Sequence, residues 1–199
     1  ADNLGEIAAG VNKLLSDDGV FIFEVSYLLD VFTKTLFDTI YHEHLAYHSV
    51  GPLIPFFKRY GLELINVERV ATHGGSLRGV VQLEGGPHKK SGSVHKHLLL
   101  ESKLGLDKIQ VLRSLSDKIK KCKRGLILVL EELKSLGKSI VAYGAAAKAT
   151  TLMYHFNIGP NIIDYIVDDS PLKQGMYSPG LHIPILPSSV IYEKRPDAI

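Results

Sequence analysis

Ser139-Ile-Val-Ala-Tyr143-Gly144-Ala-Ala-Ala-Lys148, followed by Ile162-Ile-Asp-Tyr-Ile-Val167 and the acid pair Asp168-Asp169, is the stretch that decides the fold class. An apolar run over 139–143, a glycine turn, a helical pattern over 145–156 and a second apolar run over 162–167 give the order strand, helix, strand. That order implies a parallel pair joined by a right-handed crossover, because a right-twisted strand followed by a helix packs back onto its own sheet in that hand. The chain is therefore expected to be α/β.

Working upstream, residues 106–136 place Ile109, Leu112, Leu115, Ile119, Cys122, Leu126, Val129, Leu130 and Leu133 three or four apart. This predicts one long helix packed on the second domain, with Cys122 on its buried side. The basic residues Lys118, Lys120, Lys121, Lys123 and Arg124 read as its solvated face. Before it lies Gly85-Gly-Pro-His-Lys-Lys-Ser-Gly-Ser93, polar and glycine-rich, so residues 85–105 are expected to form a linker between domains at 1–84 and 106–199. In the first domain the pattern predicts a helix near the N-terminus and a turn at 16–19. A buried strand is expected at 20–25, a helix at 52–60 stopped by Gly61, and strands at 62–70 and 76–83, the last two antiparallel.

Composition narrows the function classes. With 199 residues, 45% hydrophobic and 22% charged, the chain can form one large or two small cores. A net charge of +2 gives no field that demands nucleic acid or an anionic membrane. The apolar runs are much shorter than the roughly 20 residues that cross a bilayer, and the N-terminus has no signal-peptide pattern. The single cysteine, Cys122, excludes a disulfide framework or a cysteine-rich zinc site built from this chain, and a cytoplasmic, reducing location is expected. Both ends read as cut, so the chain is expected to be a fragment.

The densest chemistry lies in Phe37-Asp-Thr-Ile-Tyr41-His42-Glu43-His44-Leu-Ala-Tyr-His48, with three histidines, two carboxylates and two tyrosines in twelve residues. Three readings are open. A histidine can act as general base near neutral pH, with the carboxylate orienting the ring and a tyrosine hydroxyl donating to a developing enolate. Alternatively His42, His44 and His48 ligate a metal, although Ala46 stands where His-Glu-x-x-His needs its second histidine. In the third reading the segment is a polar surface loop.

Other stretches suggest ligand contact. His73-Gly74-Gly75-Ser76 lies between two expected strands, where paired glycines let a ligand approach backbone N–H groups, and Arg78 follows with a guanidinium suited to phosphate or carboxylate. Tyr143-Gly144-Ala-Ala-Ala-Lys148 opens a helix whose first amides can face an anion, with Asp168 near the position from which an acid reaches a ribose. Each also has an ordinary reading, as a tight turn, a surface arginine or close helix packing. An oxidoreductase or epimerase using NAD at the Gly144 turn, and a non-catalytic nucleotide-sugar-binding module, are the rival functions.

Four motifs in one order carry a resemblance. Phe37-Asp-Thr-Ile-Tyr-His-Glu-His-Leu-Ala-Tyr-His-Ser49, Thr72-His-Gly-Gly-Ser-Leu-Arg78, Ala142-Tyr-Gly-Ala-Ala-Ala-Lys148 and the run from Val167-Asp-Asp to Lys173-Gln-Gly and Tyr177-Ser-Pro-Gly180 resemble the nucleotide-sugar C-methyltransferases, including sugar C-3-methyltransferases. The resemblance implies the second half of a Rossmann-like methyltransferase domain followed by a truncated second Rossmann-like domain. It implies S-adenosylmethionine as methyl donor, bound by a glycine-rich loop that this chain does not contain. Zinc is implied only for a cysteine-bearing lobe upstream. The substrate implied is a nucleotide-linked keto sugar, deprotonated next to its carbonyl and then methylated, and without the donor loop the chain is expected to be inactive alone. Tyr41, Glu43 and His44 fall on the family's catalytic tyrosine, glutamate and histidine, with His44 as base. His73, Gly74, Gly75, Ser76, Arg78, Tyr143, Gly144, Lys148, Asp168 and Lys173 are the expected substrate-binding residues, with no metal among them. One departure is that Glu6 stands where relatives often carry a histidine.

Overall fold

A computed structural model describes residues 3–199 and shows a mixed α/β chain. It divides into two compact units, one comprising the residues up to Phe37 together with Glu43–Asp117, the other Asp38–His42 and Lys118–Ile199.

In the first unit, α1 (Leu4–Leu14) starts where the Asn3 side chain accepts hydrogen bonds from the Gly5 and Glu6 amides, two donors that the helix itself leaves unsatisfied. Next come β1 (Phe21–Ser26), α2 (Leu28–Lys34), α3 (Val50–Arg59), β2 (Leu62–Val70), β3 (Ser76–Leu83) and α4 (Gly92–Leu104). The strands form a sheet in the order β1-β3-β2 with both pairings antiparallel, so β2 and β3 pair as expected and β3 also pairs with β1. A register shift between Leu64 and Asn66 interrupts the β2 ladder. Leu62, Leu64, Val67, Leu77 and Val81 bury one face of the sheet against Val50, Leu53 and Phe57 of α3 and Val94 of α4. Burying side chains of that size stabilises by about 1.5–3 kcal/mol each.

Residues 85–105 are not a linker. Their polar, glycine-rich start is followed by α4, capped by Ser91 and packed into the first core through Val94. The reason is a buried carboxylate. Glu101 of α4 accepts the Tyr27 hydroxyl at 2.9 Å and the Val50 and Gly51 amides at 2.7 and 3.0 Å, capping α3 where Ser49 provides no side-chain cap. Removing α4 would leave those buried donors unsatisfied. Burial, with the Glu101 charge beside it, pushes the Tyr27 hydroxyl far above its ordinary pKa, so it remains a donor. The division between units instead falls within α5 (Ile109–Ser135), after Asp117.

The long helix forms as the spacing predicts, but none of its residues is fully buried. Val111 and Leu115 rest partly buried against the first core, whereas Cys122 is exposed. The expected burial of Cys122 fails because a helical apolar stripe shows which residues share a face and not whether anything covers that face.

In the second unit, β4 (Val141–Tyr143), α6 (Ala147–Phe156), β5 (Tyr165–Asp168), β6 (Ile185–Pro187) and α7 (Val190–Lys194) follow. The strands lie in the order β4-β5-β6, all parallel, with Val141 opposite Tyr165 and Ile166 opposite Ile185. Val141, Tyr165 and Val167 pack against Leu186, Val190 and Ile191. Asp164 links β5 to the start of β4, its carboxylate accepting the Ile140 amide at 3.0 Å. Among the described residues no helix is long and apolar enough to cross a membrane.

Candidate active site

The histidine-rich segment is split between the units. Tyr41 and His42 fall with the second, where the Ile40 carbonyl accepts the Thr151 hydroxyl at 3.0 Å and the two rings meet edge to face at 5.7 Å. Glu43, His44 and His48 fall with the first, where His48 pairs with Tyr27 just after β1. The His48 amide donates to the Ser26 carbonyl at 3.3 Å, and the His48 carbonyl accepts the Leu28 amide at 2.8 Å. These bonds fix His48 beside the end of β1.

Residues 43–48, the end of β1 and the turn before β3 enclose a cavity of about 480 Å³. Glu43, His44, His48, His73 and Ser76 line it, together with Glu24. Three imidazoles and two carboxylates thus share one polar recess. Burial lowers the pKa of His48, which keeps this ring neutral and able to accept a proton at neutral pH. The His44 ring stands edge to face with Tyr47 at 6.5 Å. Glu24 is held below the ordinary carboxylate range, chiefly by its bond from Arg78.

Arg78 therefore already carries carboxylate partners. Its guanidinium donates to Glu24 at 3.1 Å and lies 3.6 Å from Glu68. Gly74 and Gly75 do not line the cavity but turn inward, so that a Cβ at Gly74 would meet Leu36 and one at Gly75 would meet Asp30. Glu6 is exposed at the start of α1 and does not line the cavity either.

The second unit has its own cleft, of about 260 Å³, formed by Ala145, Ala146, Ala147 and Thr150 at the start of α6 and by Lys173, Met176 and Tyr177 of the following loop. The α6 cap, Ala146, makes no side-chain bond to the first turn, where the Ala149 amide donates to the Ala146 carbonyl at 3.0 Å. Of the residues expected here, only Lys173 lines the cleft. Asp168 supports it from beneath, accepting the Ala145 amide at 2.7 Å, the Ser170 amide at 2.9 Å and the Lys173 ammonium at 3.1 Å. Its carboxyl is lowered first by the Ser170 bond, then by Ala145 and Lys173, against the opposing effect of burial. Tyr143 donates to Asp169 at 2.7 Å, Gly144 turns the chain at φ 97°, and Lys148 is half-buried outside the lining.

The sequence reading did not single out Glu24, nor Asp30 and Arg69 beneath the glycine turn. Glu24 reads as an ordinary strand residue, and its alternation with Phe23 and Val25 was the signal that it faces away from the core. Among the described residues no group of three or more His, Cys, Asp or Glu is placed to hold an ion.

Residues 71–199 match the family model of the C-methyltransferase C-terminal domain. Over 183 residues the chain is 31% identical to the C-methyltransferase NovU of Streptomyces niveus, covering 92% of this chain and 44% of that protein. The chain thus spans less than half the length of that relative. With more than half of its residues in that family model, this chain belongs to the C-methyltransferases.

Proposed function

We propose that the chain forms the acceptor side of a sugar C-methyltransferase that removes a proton beside the carbonyl of a nucleotide-linked keto sugar. The observation that carries this reading is the cavity in which Glu43, His44, His48 and His73 converge. A carbon next to a ketone is inert toward alkylation until its proton leaves, so a positioned base is the group such a reaction cannot omit. His44 accepts that proton as the C–H bond breaks, and the electron pair moves into the enolate before the new carbon–carbon bond forms. Glu43 stabilises the resulting imidazolium.

Taken by itself, the second unit's cleft has chemistry suited to a nucleotide. Lys173 and the Ala147 and Lys148 amides at the start of α6 suit a diphosphate, and Tyr177 and Met176 offer apolar surface to a base. The Asp168 carboxylate, engaged by Ala145, Ser170 and Lys173, shapes this loop rather than reaching for a ribose, which favours a nucleotide sugar over NAD. The strand arrangement β1-β3-β2 and the parallel β4-β5-β6 sheet suit the closing part of one Rossmann-like domain and a second such domain.

S-adenosylmethionine, when bound, supplies the electrophilic methyl group. The turn at Gly74 and Gly75 does not fit it, because that turn is filled by Leu36 and Asp30. The isolated chain is therefore expected to show no useful affinity for the donor, and micromolar binding by calorimetry would overturn this.

The chemical step is tested in the complete enzyme by following exchange of the substrate's α-proton with deuterated water by NMR, without methyl donor. His44→Ala is expected to slow exchange by about 10² to 10⁴ with nucleotide-sugar binding near normal. Equal exchange in wild type and His44→Ala would remove His44 as the base.

A further inference from the structure

Beneath the His73 turn lies a charged group that touches neither cavity. Asp30 of α2 is fully buried, and both its oxygens are engaged by Arg69 at the end of β2, at 2.8 and 2.6 Å, and by Lys34 one helical turn on, at 2.8 Å. The same Lys34 ammonium donates to the Gly74 carbonyl, and the Tyr27 amide donates to the Gly75 carbonyl at 3.3 Å. Gly75 passes over Asp30 so closely that a Cβ there would lie 2.1 Å from the carboxyl carbon. Burial alone would raise the Asp30 pKa, but the bonds from Arg69 and Lys34 outweigh it and hold the group ionised.

The turn held in this way contains a strained residue. His73 adopts φ 52° and ψ 31°, a left-handed conformation that disfavours a residue with a Cβ. Such strain persists only where surrounding structure over-determines it. His73 lines the cavity, and Ser76, which also lines it, bonds back to the Thr72 carbonyl at 3.1 Å.

We infer that Asp30, acting through Lys34 and Arg69, is a positioning residue that holds the turn from Thr72 to Ser76 and thereby fixes where the His73 imidazole stands in the cavity. Asp30 does not touch the reacting atoms. It draws the end of β2 and the start of α2 together, Lys34 restrains the Gly74 carbonyl, and the missing Cβ of Gly75 lets the chain lie against the carboxylate. The inference rests on the proposed function only for its kinetic consequence.

The test uses the complete protein labelled with ¹³C-histidine, the His73 ring signal being assigned by its loss in His73→Gln. In Asp30→Asn the His73 signal is expected to move by more than its linewidth, while that of His97, on α4, stays in place. Turnover should fall about 10- to 100-fold with KM for the nucleotide sugar within about twofold, as expected when a group is misplaced rather than removed. If Asp30→Asn does not fold, Lys34→Met, altered at a half-exposed side chain, should displace the His73 signal by itself, and Lys34→Arg should restore it. A folded Asp30→Asn or Lys34→Met protein with an unmoved His73 signal would overturn the inference. If the signal moves but the wild-type enzyme shows no exchange or methylation of a keto sugar, the proposed function fails and the positioning role stands.

Discussion

The turn at Gly74–Gly75 and the turn at Gly144 both border a cleft and both follow a strand, and in each the backbone takes positive φ. Their surroundings differ. The space over Gly75 is filled from within by Asp30, whereas a Cβ at Gly144 would meet nothing within 4 Å. In the first unit glycine is required by the protein's own interior, and the neighbours His73 and Ser76 face the cavity. In the second unit glycine is required by backbone conformation alone, and the space beside it stays open. Glycines that look alike in sequence can thus serve packing in one place and access in another.

The largest effect expected from this contrast is at Gly75. Gly75→Ala combines overpacking against Asp30 with an unfavourable φ of 151°, and should cost about 3–5 kcal/mol, measured by urea unfolding. Adding Asp30→Ala should recover part of that loss, giving a coupling of at least about 1 kcal/mol. Additive effects would mean that the crowding at Gly75 has another source.

Asp168→Asn comes next. It weakens bonds to the Ser170 and Ala145 amides and to Lys173, and should cost about 2 kcal/mol together with weaker nucleotide-sugar binding in calorimetry. Stability loss with unchanged binding would separate Asp168 from the cleft. Gly144→Ala should cost only about 1 kcal/mol, because the strain is conformational and no atom is displaced. A loss as large as that of Gly75→Ala would break the comparison.

The smallest effect is that of mild acid. Asp30 and Asp168 are both held below the ordinary carboxylate range, so each favours folding above the unfolded-state pKa of about 3.9, and that contribution is lost as pH falls through the folded-state value. Melting temperature should therefore change little between pH 7 and 5 on their account and fall below about pH 4. In Asp30→Asn the acid-induced fall should be shallower, and an unchanged slope would show that Asp30 does not contribute to it.

The strands at 62–70 and 76–83 were legible because alternating or continuous apolar runs end at Gly61, at the turn of 71–75 and at Gly85-Gly86, signals carried by adjacent residues. The β-α-β order of the second unit was legible for the same reason. The segment 37–48 declared itself as chemical by density alone, since packing rarely needs three histidines in twelve residues. The expected linker and the expected burial of Cys122 both failed where local pattern was asked a tertiary question: Glu101 makes α4 part of the core through bonds to Tyr27 and α3, residues 50 or more positions away.

By itself, then, the sequence determined the α/β class, the main strands, the long helix and the residue types available for proton transfer, because periodicity and composition are properties of neighbouring residues. Tertiary structure alone decided that His44, His48, His73 and Glu24 share a recess, that Arg78 is held by Glu24 and Glu68, and that Gly75 lies over a buried aspartate. The physical reason is distance along the chain. Asp30 and Arg69 are 39 residues apart and Glu24 and Arg78 are 54 apart, and pairings of that span arise from how the sheet and helices pack.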